Sequence, residues 1–269
     1  MPAYTGIFCV EANVNNIITS VSNPIIIDAK KLLDKKYRKL YNAVLLEGAK
    51  FIFDAFDSKL PILKVFVLSN KFADYKDFIE KANCPYYLID EHLVKYLSES
   101  ESPQGLFAEF DITKKMSRLK PPDSNFLVLD CLQDPGNLGT IVRTATACDF
   151  NTIYLINSVD FLSSKVIRSS AGTIFKINVY NISYEELLTL VKQHKLTLVS
   201  ADMKGENIYS FSKELGRFGI VIGNEGNGIS QTLKQACKYN VSLPMKNNVE
   251  SLNAGVSASV LMYLMQEVK

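Results

Sequence analysis

From residue 126 onward the chain alternates short, almost unbroken apolar runs with stretches of helical spacing, and this restricts the fold more than any other feature. FLVLDCL (126–132), TIYLIN (152–157), LTLVSA (196–201), FGIVIG (218–223) and VSLP (241–244) are each bounded by polar turns. A strand apolar on both faces must be covered on both faces, which is the condition of a parallel sheet flanked by helices. Residues 138–148, 184–194, 229–238 and 251–268 carry the helical pattern, with a shorter helix near 164–169, while TIFKINVY (173–180) reads as a further strand. The first half alternates as well. Helices are predicted over 28–37, 49–56, 74–81 and 91–97, and strands over 43–46, 62–68 and 86–89, with GLFAEF (105–110) as an edge strand. Between the halves, TKKMSRLKPPDSN (113–125) is basic, polar and interrupted by Pro-Pro, the composition of a linker. The expected plan is α/β: an extension (1–16), a smaller domain (17–112), the linker (113–125) and a parallel-sheet domain (126–269).

Composition excludes several classes. With 47% apolar and 22% charged residues the chain is globular, and no apolar run approaches the ~18 residues of a membrane span. The opening MPAYTGIFCVEANVNN carries Glu11 and no basic head, unlike a signal peptide. Five cysteines, odd in number and without a C-x-x-C pair, read as reduced residues of a cytoplasmic protein. His92 and His194 lie far apart, so no metal site is expected. A net charge of +2 leaves phosphate affinity to local patches.

Ligands of parallel sheets gather beyond the C-terminal strand ends, and three polar loops fall there. QDPGNLG (133–139) leads into a helix presenting Arg143, GNEGNG (223–228) leads into the next, and PMKNNVESLNAG (244–255) opens the last. Glycine permits close backbone approach, and each helix start offers unpaired N–H groups. Each loop also has a plain alternative: a simple turn, Glu225 as a favourable first-turn charge, Asn253 as a helix cap. Gly136-x-x-Gly139 with Asp160 further on suggests a dinucleotide fingerprint, but the third glycine is missing. GNEGNG lacks the Lys-Ser/Thr of a phosphate-binding loop.

LQDPGNLGTIVRTA, IVIGNEGNGIS and LPMKNNVESLNAGVSAS resemble, in order, spacing and strand context, the three motifs of the SpoU/TrmH-type RNA 2′-O-ribose methyltransferases of the SPOUT superfamily. SSKVIRSSAGTIFKI (163–177) resembles the segment between the first two, and residues 18–52 with SPQGLFAEF resemble the substrate-binding domain of longer members, itself similar to ribosomal proteins. Ala254-Gly255 departs from the family, where a larger residue precedes Ser or Ala. The resemblance implies a trefoil-knotted α/β domain binding S-adenosylmethionine against Ala201, Gly223, Leu243, Met245 and Leu252. It assigns central roles to Asn137, Arg143, Glu225, Ser251 and Asn253, and implies a homodimer to which the last helix contributes. The substrate would be RNA, ribosomal rather than transfer RNA, with no DNA or membrane partner. A non-enzymatic RNA-binding protein on the same scaffold is the alternative, and a dinucleotide oxidoreductase a distant third.

RNA affinity requires basic surface. Residues 28–39 hold six basic residues against two acids, either a solvated helix face or a phosphate contact through Lys35, Lys36 and Arg38. Arg168 and Lys165 are candidates beside the site, and Lys114, Lys115, Arg118 and Lys120 in the linker.

Overall fold

The computed structural model describes residues 17–116 and 119–266. The extension 1–16, Arg118 and Val268 therefore lie outside the described residues. The chain divides into two compact units between Lys114 and Lys115.

The first unit runs α1 (Pro24–Lys31), α2 (Lys35–Tyr41), β1 (Ala43–Glu47), α3 (Ala49–Asp57), β2 (Ile62–Leu68), α4 (Phe72–Ala82), β3 (Tyr86–Ile89), α5 (Glu91–Leu97) and β4 (Leu106–Asp111). The single helix predicted over 28–37 is two helices. Asp34 ends the first pattern by accepting the Lys36 N–H at 2.7 Å and capping α2, the competition with helix bonding in which short carboxylates excel. The sheet order is β1-β4-β2-β3, antiparallel except for the β2–β3 pair. Residues 105–110 are thus a central strand, not the edge expected. Leu106–Phe110 are all buried, as an apolar run on both faces demands. Glu109 is buried within that run: Lys64 meets its carboxylate at 3.1 Å, while burial pushes its pKa upward.

The second unit runs β5 (Phe126–Asp130), α6 (Pro135–Ala147), β6 (Thr152–Ile156), α7 (Ser164–Ser169), β7 (Asn178–Asn181), α8 (Tyr184–His194), β8 (Thr197–Asn207), β9 (Phe218–Ile222), α9 (Gln231–Ala236), β10 (Tyr239–Ser242) and α10 (Ala254–Met265). All six strands are parallel, in the order β10-β8-β9-β5-β6-β7. Phe126, Val128, Tyr154, Leu198 and Val221 pack on Leu187 and Leu190 of α8 and Leu233 of α9. Alternate strand residues face the other side, where α6 and α10 pack together and α10 lies against β9.

Three boundaries differ from expectation for local reasons. Residues 173–180 are not one strand: Gly172 (φ 85°) starts a 3-10 turn at Thr173–Phe175, and the strand begins at Asn178. Helix α6 begins at Pro135, with Asp134 as its cap and proline in the first turn, where its missing N–H costs nothing. Strand β8 runs on to Asn207, but its pairing with β10 jumps from Ser200↔Asn240 to Glu206↔Val241, so residues 201–205 bulge out. At the end of that bulge a Cβ on Gly205 would sit 2.5 Å from the Val241 carbonyl carbon. From β10 at the sheet edge the chain returns to α10 against α6 and β9, the path a knotted topology requires. Among the described residues no helix is long and apolar enough to cross a membrane.

Candidate active site

The loops after β5 and β9 are stitched together. Asp130, the last residue of β5, is 1% exposed, and a carboxylate so buried requires donors. The Tyr184 hydroxyl donates to one oxygen at 2.7 Å and the Ser230 N–H to the other at 2.7 Å. Desolvation, then the bond to Asp130, hold the Tyr184 pKa up at about 12, so the phenol stays a donor at neutral pH. Cys131 follows in the left-handed region (φ 56°), and its carbonyl accepts from Asn224 Nδ2 at 2.9 Å. Asn224 Oδ1 in turn accepts the N–H groups of Gly226 and Asn227, while Asn224 and Gly228 exchange backbone bonds of 3.0 and 2.9 Å. This network of Asp130, Tyr184, Asn224 and Ser230 was missed in the sequence. Its one signal was a carboxylate closing an otherwise apolar strand.

On this frame the three motifs converge. Asn137, 8% exposed, donates from Nδ2 to Glu225 Oε1 at 2.7 Å. A Cβ on Gly255 would lie 3.3 Å from Asn137 Oδ1 and 3.2 Å from Asn253 Oδ1, so the two asparagines flank Gly255. The family departure at Ala254-Gly255 therefore falls where the first and third motifs touch. Asn253 caps α10, accepting the N–H groups of Gly255 (2.9 Å) and Val256 (3.2 Å), which is why the helix begins at Ala254 rather than 251. Thr144 and Ser259 join α6 to α10 through hydroxyls 2.9 Å apart. Ser251 is exposed in the turn before the cap.

Arg143 lies nearly two turns beyond Asn137 on α6, exposed, and among the described residues it forms no ion pair. It makes no ion pair with Glu225, whose carboxylate is taken by Asn137. Helix α7 packs on the first turn of α6, with Ser169 Oγ donating to the Pro135 carbonyl at 3.1 Å. Arg168 next to it is exposed, and Lys165 stands 3.8 Å from Asp134. Lys35 and Lys36 are exposed in the other unit. Arg38 is a correction. It is 7% exposed, and its Nη1 donates to the carbonyls of Leu32 and Leu33, 2.7 Å each, so it holds α2 to the end of α1. Lys115 also turns inward: Nζ donates to the Ile177 carbonyl at 2.8 Å, and burial brings its pKa down to about 8.

Ala201 follows the regularly paired part of β8, Gly223 follows β9 and Leu243 follows β10, so all three occupy one edge of adjacent strands. Gly223 is needed by its own loop. A Cβ there would meet the Gly228 carbonyl carbon at 2.2 Å, so enlarging it would disrupt residues 223–230 whatever it did to a ligand. Residues 243–253 are the opposite. Among the described residues their N–H groups make one backbone bond, Val249 to Lys246 at 3.2 Å. Leu243 and Met245 are half-buried and Leu252 is 38% exposed. Apolar surface edged by unpaired amides suits a purine nucleoside, with rings between side chains and polar edges on backbone. The residues fit the adenosyl group of the expected cofactor.

The profile of the SpoU rRNA methylase family matches residues 124–263, and that of an MRM3-like substrate-binding domain matches residues 23–108. The chain belongs to the SpoU rRNA methylase family. This SpoU chain is 28% identical over 248 residues to the Bacillus subtilis 23S rRNA (guanosine(2553)-2′-O)-methyltransferase RlmP, covering 91% of this chain and 97% of that one. It also resembles the crystal structure of an RNA 2′-O ribose methyltransferase, at 29% identity and TM-score 0.78, covering 93% and 97% of the two chains. The AdoMet-bound rRNA methyltransferase of Sinorhizobium meliloti, 22% identical with TM-score 0.80 over 93% and 96% of the chains, shares the fold.

Proposed function

We propose that this protein methylates a ribose 2′-hydroxyl of ribosomal RNA at the edge where Asn137, Glu225 and Asn253 converge. As a SpoU methylase it is an RNA 2′-O-ribose methyltransferase, and its cofactor is S-adenosylmethionine, which supplies an electrophilic methyl group on a sulfonium. The observation that carries the placement is the 2.7 Å bond from Asn137 to Glu225, which joins two separate motifs at one point.

A neutral hydroxyl is a weak nucleophile and must lose its proton as it attacks. Arg143 stays cationic at any relevant pH, so its part is to bind the neighbouring phosphate and offset developing alkoxide charge. Its exposure, with no ion pair among the described residues, supports that part. Glu225 and Asn137 brace each other, Asn253 fixes the start of α10, and exposed Ser251 is placed to meet the ligands. Ala201, Gly223, Leu243, Met245 and Leu252 would hold the cofactor. Lys35, Lys36 and Arg168, all exposed, would meet RNA phosphates. The name of the Bacillus relative supports ribosomal over transfer RNA, and a cytoplasmic place of action is part of the proposal.

Assembly as a homodimer is part of the proposal. Helix α10 leaves Val256, Tyr263 and Leu264 exposed, an apolar face suited to a second copy. A monomer by light scattering at micromolar concentration would remove it.

The decisive experiment maps ribose methylation across total RNA with and without the gene, beside thermal shifts with S-adenosylmethionine, its demethylated product and NAD. A ligand that binds only the native state raises the melting point. One lost ribosomal methylation and shifts with the first two ligands are expected. An unchanged map with no shift would overturn the proposal.

A further inference from the structure

The seven residues of α2 are an unusual surface helix. Only Arg38 is buried, Tyr37 is half-buried, and Lys35, Lys36, Lys39, Leu40 and Tyr41 are exposed, Leu40 by 63% and Tyr41 by 47%. Residues four apart share a face, so Tyr37 and Tyr41 align. Their rings lie 6.0 Å apart and nearly parallel, at 17°. Lys36 Nζ stands 5.6 Å and Lys31 Nζ 6.0 Å from the Tyr37 ring centre.

The local acids are already engaged. Asp28 pairs with Lys31 at 2.9 Å, and Asp34 caps the helix. Among the described residues Lys35, Lys36 and Lys39 meet no carboxylate. The helix is also rigidly held, because Arg38 fixes it to the carbonyls that end α1. Uncompensated cations beside an exposed ring on a fixed helix match one ligand chemistry: phosphates on a regular spacing, with base faces free to stack. A paired RNA stem would satisfy the lysines but leave the ring unused, since its bases are stacked within the helix.

We propose that α2 is a stacking platform for an unpaired stretch of the RNA substrate, with a base on Tyr41 and adjacent phosphates on Lys35, Lys36 and Lys39. This rests on the RNA-methylating function proposed above and adds the kind of RNA this face takes. Base–aromatic stacking is sequence-tolerant, so the platform would hold the strand rather than read it.

The test uses the full chain and two labelled probes: a ten-nucleotide oligouridylate, whose bases stack poorly on one another, and a fully paired RNA hairpin of similar charge whose loop is replaced by a non-nucleotide linker. Tyr41→Ala should weaken oligouridylate binding by about tenfold, leave its salt dependence unchanged and spare the hairpin. Tyr41→Phe, which keeps the ring, should bind as the parent does. The double variant Lys35→Ala with Lys39→Ala should weaken both probes and lower the log–log salt slope for oligouridylate by about 1.4, roughly 0.7 per phosphate contact on a single strand. The platform is overturned if Tyr41→Ala binds oligouridylate as the parent does, or loses the hairpin equally. It is overturned too if the face proves to bind a protein while every variant keeps its RNA affinity. A parent that methylates ribosomal RNA with Tyr41 irrelevant defeats this proposal alone; one that stacks oligouridylate on Tyr41 yet transfers no methyl group defeats the proposed reaction alone.

Discussion

Residues 223–230 and residues 243–253 leave the same edge of one sheet, yet they are held in opposite ways. The first segment is pinned through Ser230 to Asp130, through Asn224 to the Cys131 carbonyl, and through Glu225 to Asn137. The second makes one backbone bond of its own and exposes Val249 and Leu252. A polar loop bonded at most of its groups to the protein around it is set before any ligand arrives. One that does not must complete its bonds with water or with something that binds. The stitched segment thus supplies fixed geometry, and the open segment supplies the surface that a ligand finishes. Substitutions in the first should cost stability, and in the second, or at Arg143, only binding or turnover.

The largest effect that can break this division lies at Arg143. Arg143→Ala should lower single-turnover methylation by at least ~100-fold, the scale of losing one preorganised electrostatic contact, with an unchanged melting temperature. Arg143→Lys should recover little, because a flexible ammonium does not reproduce a planar fork. A destabilised Arg143→Ala protein would put this residue on the stitched side.

Next comes the cofactor itself. At a concentration 100 times its Kd, S-adenosylmethionine should slow amide exchange in residues 243–253 by up to about 100-fold, while Asn224, Gly226, Asn227 and Gly228 change little because their amides are already bonded. Equal slowing in both segments would erase the distinction.

Asp130→Asn tests the stitching. One of the two donors would face an amide rather than a carboxylate, and the second unit should lose about 1–3 kcal/mol in urea unfolding. Its methylation should fall too, through misplacement of Glu225. Unchanged stability would show that the network is dispensable.

The smallest effect is a pH dependence. The Tyr184 pKa of about 12 in the folded protein exceeds the ~10 of a free tyrosine. Between those values the folded chain keeps a proton that the unfolded chain gives up, so Tyr184 contributes stability below pH ~10 that is lost as pH rises toward 12. Tyr184→Phe should flatten that fall relative to the parent, measured by urea midpoints at pH 9 and 11.

The same division governs what could be read from the sequence. The parallel sheet was legible because FLVLD, TIYLI and FGIVI are apolar on both faces, and the motif loops were legible from glycine and asparagine in order. Strand β4 was misplaced because its place in the sheet is set by partners that its own residues do not mark: Lys64, forty-five positions earlier, is what meets the buried Glu109. Arg38 was misassigned for the complementary reason: charge predicts exposure, and only the fold brings the Leu32 and Leu33 carbonyls to it. The Asp130 network was missed because its partners come from two distant segments, around Tyr184 and in residues 224–230. Contacts made by neighbours in the chain leave a local pattern, whereas those made by the fold do not.

The close crossing at Gly205 has a consequence in time. The backbone of Asn240 and Val241 crosses Gly205 of β8 with no room there for even one added carbon, and residues 243–253, the proposed open wall of the site, follow directly. A ribosome delivers these residues after everything they cross, at roughly 5–20 residues per second. The sheet can assemble around β5, β6, β8 and β9 while residues 243–253, the proposed cofactor wall, are still being made. A nascent chain therefore has a nearly finished scaffold and no site, and methyl transfer becomes available only once the last helix has been drawn into place.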